Sequence, residues 1–359
     1  MDASQIEAEA LTAIDRDCCE AATRQSVDVL VEPFERCIKS YTYFNLAFIA
    51  LATLEIVLFA LCFTPILASG AAGICVAGMF LTLFCYFILR LYLQTKKPLQ
   101  MRRVVGHFLT TYQRLIYFQD GIPEHHLAVA QACARSASAL QGREYTFYTP
   151  PRQLEFLSSS LERFSFWCHW EDVYTMRELL LRHAVEEHIK VVKSEPTDLE
   201  VHAALANCYV MLSSLYVDYR KRESNEEDRW APPVHLVSSM REKFLKAAER
   251  AMEEFQILND YAPDDPWIHA QLAYSYRDLQ MPEEEIRQYE AILRLRPDDT
   301  ETRFRLGTLY FQQGHNAKGL RVYEELRHIH LKKAEALISF YGAYEQEVPT
   351  PTESSRSAY

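Results

Sequence analysis

The 359-residue sequence predicts an all-α fold: a two-helix transmembrane hairpin, a helical connector, then an α-solenoid of stacked helix pairs. Three observations carry that expectation. Two apolar runs lie almost back to back, each long enough to cross a bilayer. Apolar residues elsewhere recur at helical spacing, and one pattern is written twice at an interval of 34 residues.

Residues 1–40 read as an N-terminal helical arm. Ile6, Leu11, Ile14 and Cys18 share one broad face, and Val27, Leu30 and Val31 precede an expected break at Pro33. Residues 41–94 are the hairpin, with helices over 44–67 and 70–93. Only Asn45, Thr53, Glu55, Thr64 and Pro65 interrupt the first run, and 70–89 carries no charge. At 1.5 Å per residue each run spans about 30 Å of hydrocarbon. Thr64, Pro65, Ser69 and Gly70 supply the reversal, and Tyr41, Tyr43, Tyr86 and Tyr92 suit an interfacial aromatic belt. A buried hairpin in a soluble core is the alternative. A signal peptide fits poorly, because a long polar stretch comes first and no small-residue cleavage pattern follows the first run.

Lys and Arg set the orientation. The connection between the runs has none, whereas Arg36 and Lys39 precede them and Arg90, Lys96, Lys97, Arg102 and Arg103 follow. The positive-inside rule therefore puts both termini of a two-pass integral membrane protein in the cytoplasm.

Two features inside the hairpin carry chemistry. Ser69, Gly73 and Ala77 recur every fourth residue, a seam that lets helices pack closely in lipid. Glu55 lies near the middle of the first run, where a carboxylate costs on the order of 2.5 to 3.5 kcal/mol. It is expected to be protonated and hydrogen-bonded to Thr82, to Tyr86 or to a second copy, which would make a homo-oligomer. One acid in two helices does not make an ion pathway.

Residues 95–195 form a helical connector, with helices over 104–118 and 126–140 and turns at Gly121-Ile122-Pro123 and Pro150-Pro151. Residues 163–192 read as a packed capping hairpin, unless Ala184, Val191 and Pro196 close a fourth repeat. Glu144 to Tyr148 is the best short strand candidate.

The repeats occupy 196–345. Leu272-Ala273-x-x-Tyr276 returns as Leu306-Gly307-x-x-Tyr310, and Ile286, Tyr289, Glu290 and Ile292 return as Leu320, Tyr323, Glu324 and Leu326. Units therefore cover 266–299 and 300–333, with Pro263 and Pro297 at helix ends. A further unit, 199–263, opens on Leu205-Ala206-x-x-Tyr209 and closes on Ala251, Phe255 and Leu258; its halves are parted by a charged, proline-bearing insertion, 220–236. The tail, 346–359, is too polar and proline-rich to order itself.

This pattern resembles the tetratricopeptide repeat (TPR), whose unit is two antiparallel helices of this length. The resemblance implies a superhelix whose first helices line a groove that binds a protein or peptide. Carried onto this sequence, the groove face is Asn207, Met211, Trp267, Tyr274, Arg277, Phe304, Thr308 and Phe311, with Ala270 and Glu301 beside them. Each of these, taken alone, is equally readable as core or plain surface. Family members that grip a terminal carboxylate pair Lys with Asn; here Asn207 lacks the lysine, because Ala203 and Ala270 fill the neighbouring sites.

Charge and motifs narrow the function classes. The net charge of −11 hides a sign change along the chain: 90–163 has ten bases against five acids, and 195–347 has nine more acids than bases. Nucleic acid is a poor partner for so acidic a module. No phosphate-binding loop, dinucleotide turn or nucleophile elbow exists, so no catalytic residue and no cofactor is assigned. His183 and His188 point about 140° apart on a helix, so no metal site is assigned. Nine cysteines without a Cys-x-x-Cys pair fit small buried hydrophobes in a reducing compartment.

The expected function is a membrane-anchored adaptor or scaffold, not an enzyme. The alternative is a membrane-shaping or oligomerising hairpin whose repeats are mainly structural. The double hydrophobic lobe also resembles that of chlamydial inclusion-membrane proteins, a likeness of architecture without a residue motif.

Overall fold

A computed structural model describes residues 3–63, 72–148, 158–216 and 238–342, with backbone alone for 3–26, 238 and 239. All regular structure among them is helical. The chain divides into two compact units, Met1–Pro196 and Thr197–Tyr359. The reversal at 64–71 with Ser69, the insertion and the tail lie outside the described residues.

In the first unit, α1 (Ala3–Leu61) runs straight through Pro33, so the expected break is absent. An interior proline costs about 3 kcal/mol. Leu30, Phe34 and Ile38, spaced one turn apart around it, are all fully buried. Burying each returns about 1.5 to 3 kcal/mol, so packing outweighs the missing amide bond. The same holds for α2 (Ala72–Leu115), which carries the second apolar run through Pro98 into a stripe of Met101, Val105, Phe108 and Tyr112.

These two stripes close against α3 (Pro123–Ala139) and α4 (Ser158–Ser194). Val129, Cys133 and Ala137 of α3 and Met176, Leu180 and Leu181 of α4 are buried. Residues 163–192 are thus one continuous helix and not a capping hairpin. The proposed strand is a turn of 3₁₀ helix, Arg143–Tyr145, entered through Gly142 at φ +81°. No strand exists among the described residues for it to pair with.

Past Thr42, α1 and α2 leave this bundle side by side. Ile49, Leu54, Ile56, Phe80, Phe84 and Phe87 are each at least half exposed. None of the most apolar window of either helix is buried, so the hairpin is not the core of the unit.

The second unit stacks α5 (Leu199–Tyr216), α6 (Ser238–Tyr261), α7 (Pro266–Asp278), α8 (Pro282–Leu295), α9 (Thr300–Gln312), α10 (Asn316–Ile329) and the short α11 (Leu331–Ile338). Helices α7 and α9 begin 34 residues apart, as do α8 and α10. The period extends to local chemistry. Asp198, Asp265 and Asp299 each accept the amide two residues on, at 2.9, 2.8 and 3.0 Å, and so cap α5, α7 and α9. His269 reaches the Pro263 carbonyl at 2.8 Å, and Arg303 donates to the equivalent Pro297 carbonyl at 2.5 Å. The turns inside the α7–α8 and α9–α10 pairs bend through a left-handed residue, Gln280 at φ +59° and Gly314 at φ +75°.

Apolar faces of successive pairs meet in two core clusters. Leu272 and Tyr276 pack with Phe255 and Leu258, and Tyr289, Leu306, Tyr310 and Leu326 pack with Leu337 of α11. The small residue in the repeat signature has a direct cause: a Cβ on Gly307 would come within 2.7 Å of Leu337 and 2.9 Å of Val322. Ile286 is 3 % exposed but its counterpart Leu320 is 39 % exposed, because α11 covers only part of the last pair.

Candidate functional site

Helices α7, α9 and α11 together carry one hydrogen-bonded strip of charge and aromatic surface. The Arg277 and Arg305 guanidiniums lie 5.2 and 5.8 Å from the centre of the Tyr274 ring, and Arg305 Nη1 donates to the Tyr274 hydroxyl at 3.2 Å. Arg305 Nε also reaches Glu301 at 3.2 Å, and Glu301 accepts from Lys333 Nζ at 3.1 Å. Bonds from Lys333 and then Arg305 hold the Glu301 carboxyl below the usual range. Beneath the strip, burial pushes the Glu285 carboxyl up, and burial with Glu285 beside it pushes the Tyr289 hydroxyl up to about 12. Rings under guanidiniums present a rigid, cationic and partly apolar surface suited to peptide contacts.

The residues expected on this face divide. Tyr274 and Arg277 belong to the strip. Trp267 is exposed with its ring edge-on to Phe255 at 6.0 Å. Phe304 is half-buried and edge-on to Phe340 at 6.4 Å, and the Thr308 hydroxyl donates to the Phe304 carbonyl at 3.1 Å. Asn207 is exposed and Met211 half-buried on α5, outside the hydrogen-bonded strip. Phe311 is a correction: it is fully buried, against Gly319 and edge-on to Tyr341, so it is core and not groove.

Two members of the strip were missed. Arg305 stands four residues after Glu301, a helical ion-pair spacing visible in the sequence. Lys333, the last residue of the expected 300–333 unit, stands on the separate helix α11, and its contact has no signal in the period.

Within the hairpin the polar residues pair across α1 and α2. Thr82 Oγ1 donates to Glu55 Oε1 at 2.7 Å. Tyr86 does not join them; its hydroxyl donates to Asn45 Oδ1 at 3.2 Å and accepts from Arg90 Nη1 at 2.9 Å. Asn45, which the sequence shows only as an interruption of the first run, is therefore the partner of Tyr86. Gly73 and Ala77 are exposed, and a Cβ on Gly73 would meet nothing within 4 Å, so this seam does not pack α2 on α1.

The buried histidines of α4 serve structure. His188 is buried with Nδ1 2.8 Å from the carbonyl of Ala184, and burial, opposed by that carbonyl and by Glu187, keeps its pKa low. His126 Nδ1 lies 2.6 Å from Glu187. Among the described residues no three His, Cys, Asp or Glu side chains converge in a metal-like group.

No protein-family profile matches the chain, and no curated protein matches it significantly. Solved structures do match. MamA from AMB-1 is 13 % identical over 64 % of this chain and 100 % of that one, with a TM-score of 0.29. An IFIT1 monomeric mutant with Gppp-AAAA is 13 % identical over 69 % of this chain and 61 % of that one, at 0.33. The TPR2AB domain of yeast Sti1 in complex with pHSP90 is 16 % identical over 69 % of this chain and 93 % of that one, at 0.24. The helix-pair geometry described above stands on this chain's own register and defines an all-α protein with a TPR-type α-solenoid.

Proposed function

We propose that this protein is a membrane-anchored adaptor, whose hairpin spans a bilayer and whose repeats bind a protein or peptide on the cytoplasmic side. One observation carries the reading: α1 and α2 leave the helical bundle as an apolar pair with none of its greasiest stretch buried. An exposed apolar surface of that length needs lipid or another protein to cover it. The flanking bases, Arg36, Lys39, Arg90, Lys96 and Lys97, favour lipid and support a cytoplasmic side for both termini. In the second unit Arg277 is exposed and Tyr274 and Arg305 are half-buried, outside the described core, which supports this surface as the one for recognition.

The Thr82 bond to Glu55 supports a closed hairpin in each copy and weakens the case for that carboxyl as glue between copies. Two experiments test the proposal. Alkaline carbonate should leave the full chain in the vesicle pellet, and release into the supernatant rejects the anchor. A photo-crosslinker at Arg277 should capture a defined partner that one at Arg287, exposed on α8, does not; equal capture rejects the groove.

A further inference from the structure

The direction of α4 places its first turns beside the apolar half of the hairpin. Asp172 Oδ1 pairs with Lys97 Nζ at 2.5 Å, and further along both helices Glu187 meets His126, whose ring is edge-on to Phe118 just past the end of α2. From Lys97 onward, α4 and α2 therefore run the same way. Traced backwards, α4 passes His169, which lies 3.4 Å from Thr42, and continues toward the hairpin tip. Thr42 is where α1 changes from a buried stripe to exposed apolar surface; Tyr43 is already 59 % exposed. At 1.5 Å per residue, Trp167 sits about 3 Å past Thr42 in that direction.

This end of α4 is aromatic. Phe166 stacks on Tyr145 at 4.9 Å, Phe164 lies 5.6 Å from Tyr148, and Trp170 lies 6.4 Å from Tyr174. Trp167 points away from the buried face of Ser165, His169 and Asp172 and is 66 % exposed. Exposed Glu162 and Arg163 precede it by one turn. Lys96 sits 4.3 Å over the Tyr92 ring at the same boundary of α2. A bulky indole flanked by charges, level with the start of an uncovered apolar hairpin, has the composition of a headgroup-level anchor.

We infer that the first turns of α4, led by Trp167, form a third membrane-contacting element that lies in the lipid headgroup region beside the two spanning helices. The occupant is the bilayer surface, because the exposed ring lies level with the start of the apolar surface at Tyr43, and because Arg163, one turn nearer the hairpin tip, can reach lipid phosphate. This rests on the hairpin anchor proposed above. It adds that the bundle is held against the membrane at a fixed angle and is not tethered loosely.

The test uses the full chain in phosphatidylcholine vesicles, with lipid brominated at shallow or deep acyl positions. One variant keeps Trp167 as the only tryptophan, through Trp170→Phe, Trp230→Phe and Trp267→Phe. A second carries Phe84→Trp as its only tryptophan. Trp167 should emit in the blue and lose roughly half its intensity with shallow bromine and much less with deep bromine, as an interfacial indole does. Phe84→Trp should respond to deep bromine, and its failure to do so rejects the spanning hairpin by itself. A quenchable Phe84→Trp with a Trp167 that bromolipid leaves untouched overturns the third contact while the anchor stands. A Trp167 shielded from aqueous iodide yet unquenched by bromolipid also overturns it, because protein then covers the ring. If the triple substitution lowers helicity, the difference between the parent and Trp167→Ser reads the same signal: absence of a shallow-quenched component removed by the substitution overturns the inference.

Discussion

The Tyr310 hydroxyl donates to Glu290 at 2.6 Å, and 34 residues earlier the Tyr276 hydroxyl accepts from Gln256 at 3.1 Å. The tyrosine of the repeat signature thus reaches back to the second helix of the preceding pair in both places, and joins units as well as filling space. Burial and the Glu290 bond push the Tyr310 hydroxyl pKa up. Tyr310→Phe should cost about 1 kcal/mol at neutral pH. Urea unfolding of the full chain in detergent measures it, and an unchanged midpoint would mean that water replaces the bond at no cost.

Gly319 faces the same tyrosine's neighbour. A Cβ there would come within 2.5 Å of the Phe311 ring, which is fully buried and has nowhere to move. Alanine would gain about 1 kcal/mol of helix propensity, whereas overpacking a rigid ring costs about 1 to 3 kcal/mol. Gly319→Ala should therefore destabilise, and Phe311→Ala should cost about 3 to 5 kcal/mol. A rise in melting temperature for Gly319→Ala would show that the ring can shift.

Gln280 and Gly314 hold the same left-handed turn, at φ +59° and +75°. A residue with a Cβ is strained there by roughly 1 kcal/mol, and glycine is not. Gln280→Gly should raise stability by up to about 1 kcal/mol, and Gly314→Ala should lower it by a similar amount. Thermal melts of the two variants should move in opposite directions.

Asp299 caps α9 through the Glu301 and Thr302 amides and the Thr302 hydroxyl at 2.7 Å. Burial opposes the carboxylate, but these bonds and nearby Lys333 outweigh it and hold its pKa below the usual range. A depressed carboxylate contributes stability that is fully present above its unfolded pKa, about 3.9, and is lost as pH falls through the folded value. Asp299→Ala should cost about 1 kcal/mol at pH 7, and the gap to the parent should shrink below about pH 4. A gap independent of pH would assign the loss to helix propensity instead of the cap.

In the hairpin, Thr82 holds Glu55 within one copy at 2.7 Å. Thr82→Val should lower hairpin stability by about 0.6 kcal/mol, typical of such bonds in membranes. Glu55→Leu should leave self-association in detergent unchanged, as read by energy transfer between labelled copies. Weaker association would show that the carboxyl bridges two copies.

The sequence by itself determined the helical class, the 34-residue register, the place of the hairpin and the small residue at Gly307, because each is written as periodicity or as a run of one residue type. Asp265 and Asp299, Pro263 and Pro297, and Leu272 and Leu306 recur at that spacing and keep equivalent contacts in the structure. Only tertiary structure decided what depends on several elements meeting. Helix α1 continues past Pro33 because α2, α3 and α4 bury Leu30, Phe34 and Ile38, a gain that no local propensity reports. Phe311 turned inward because glycine at 319 leaves room for its ring, and Tyr86 met Asn45 because helix azimuth as well as depth selects a partner. Lys333 joined Glu301 from a third helix that starts at the end of the last unit, where no period foretells a contact made by packing.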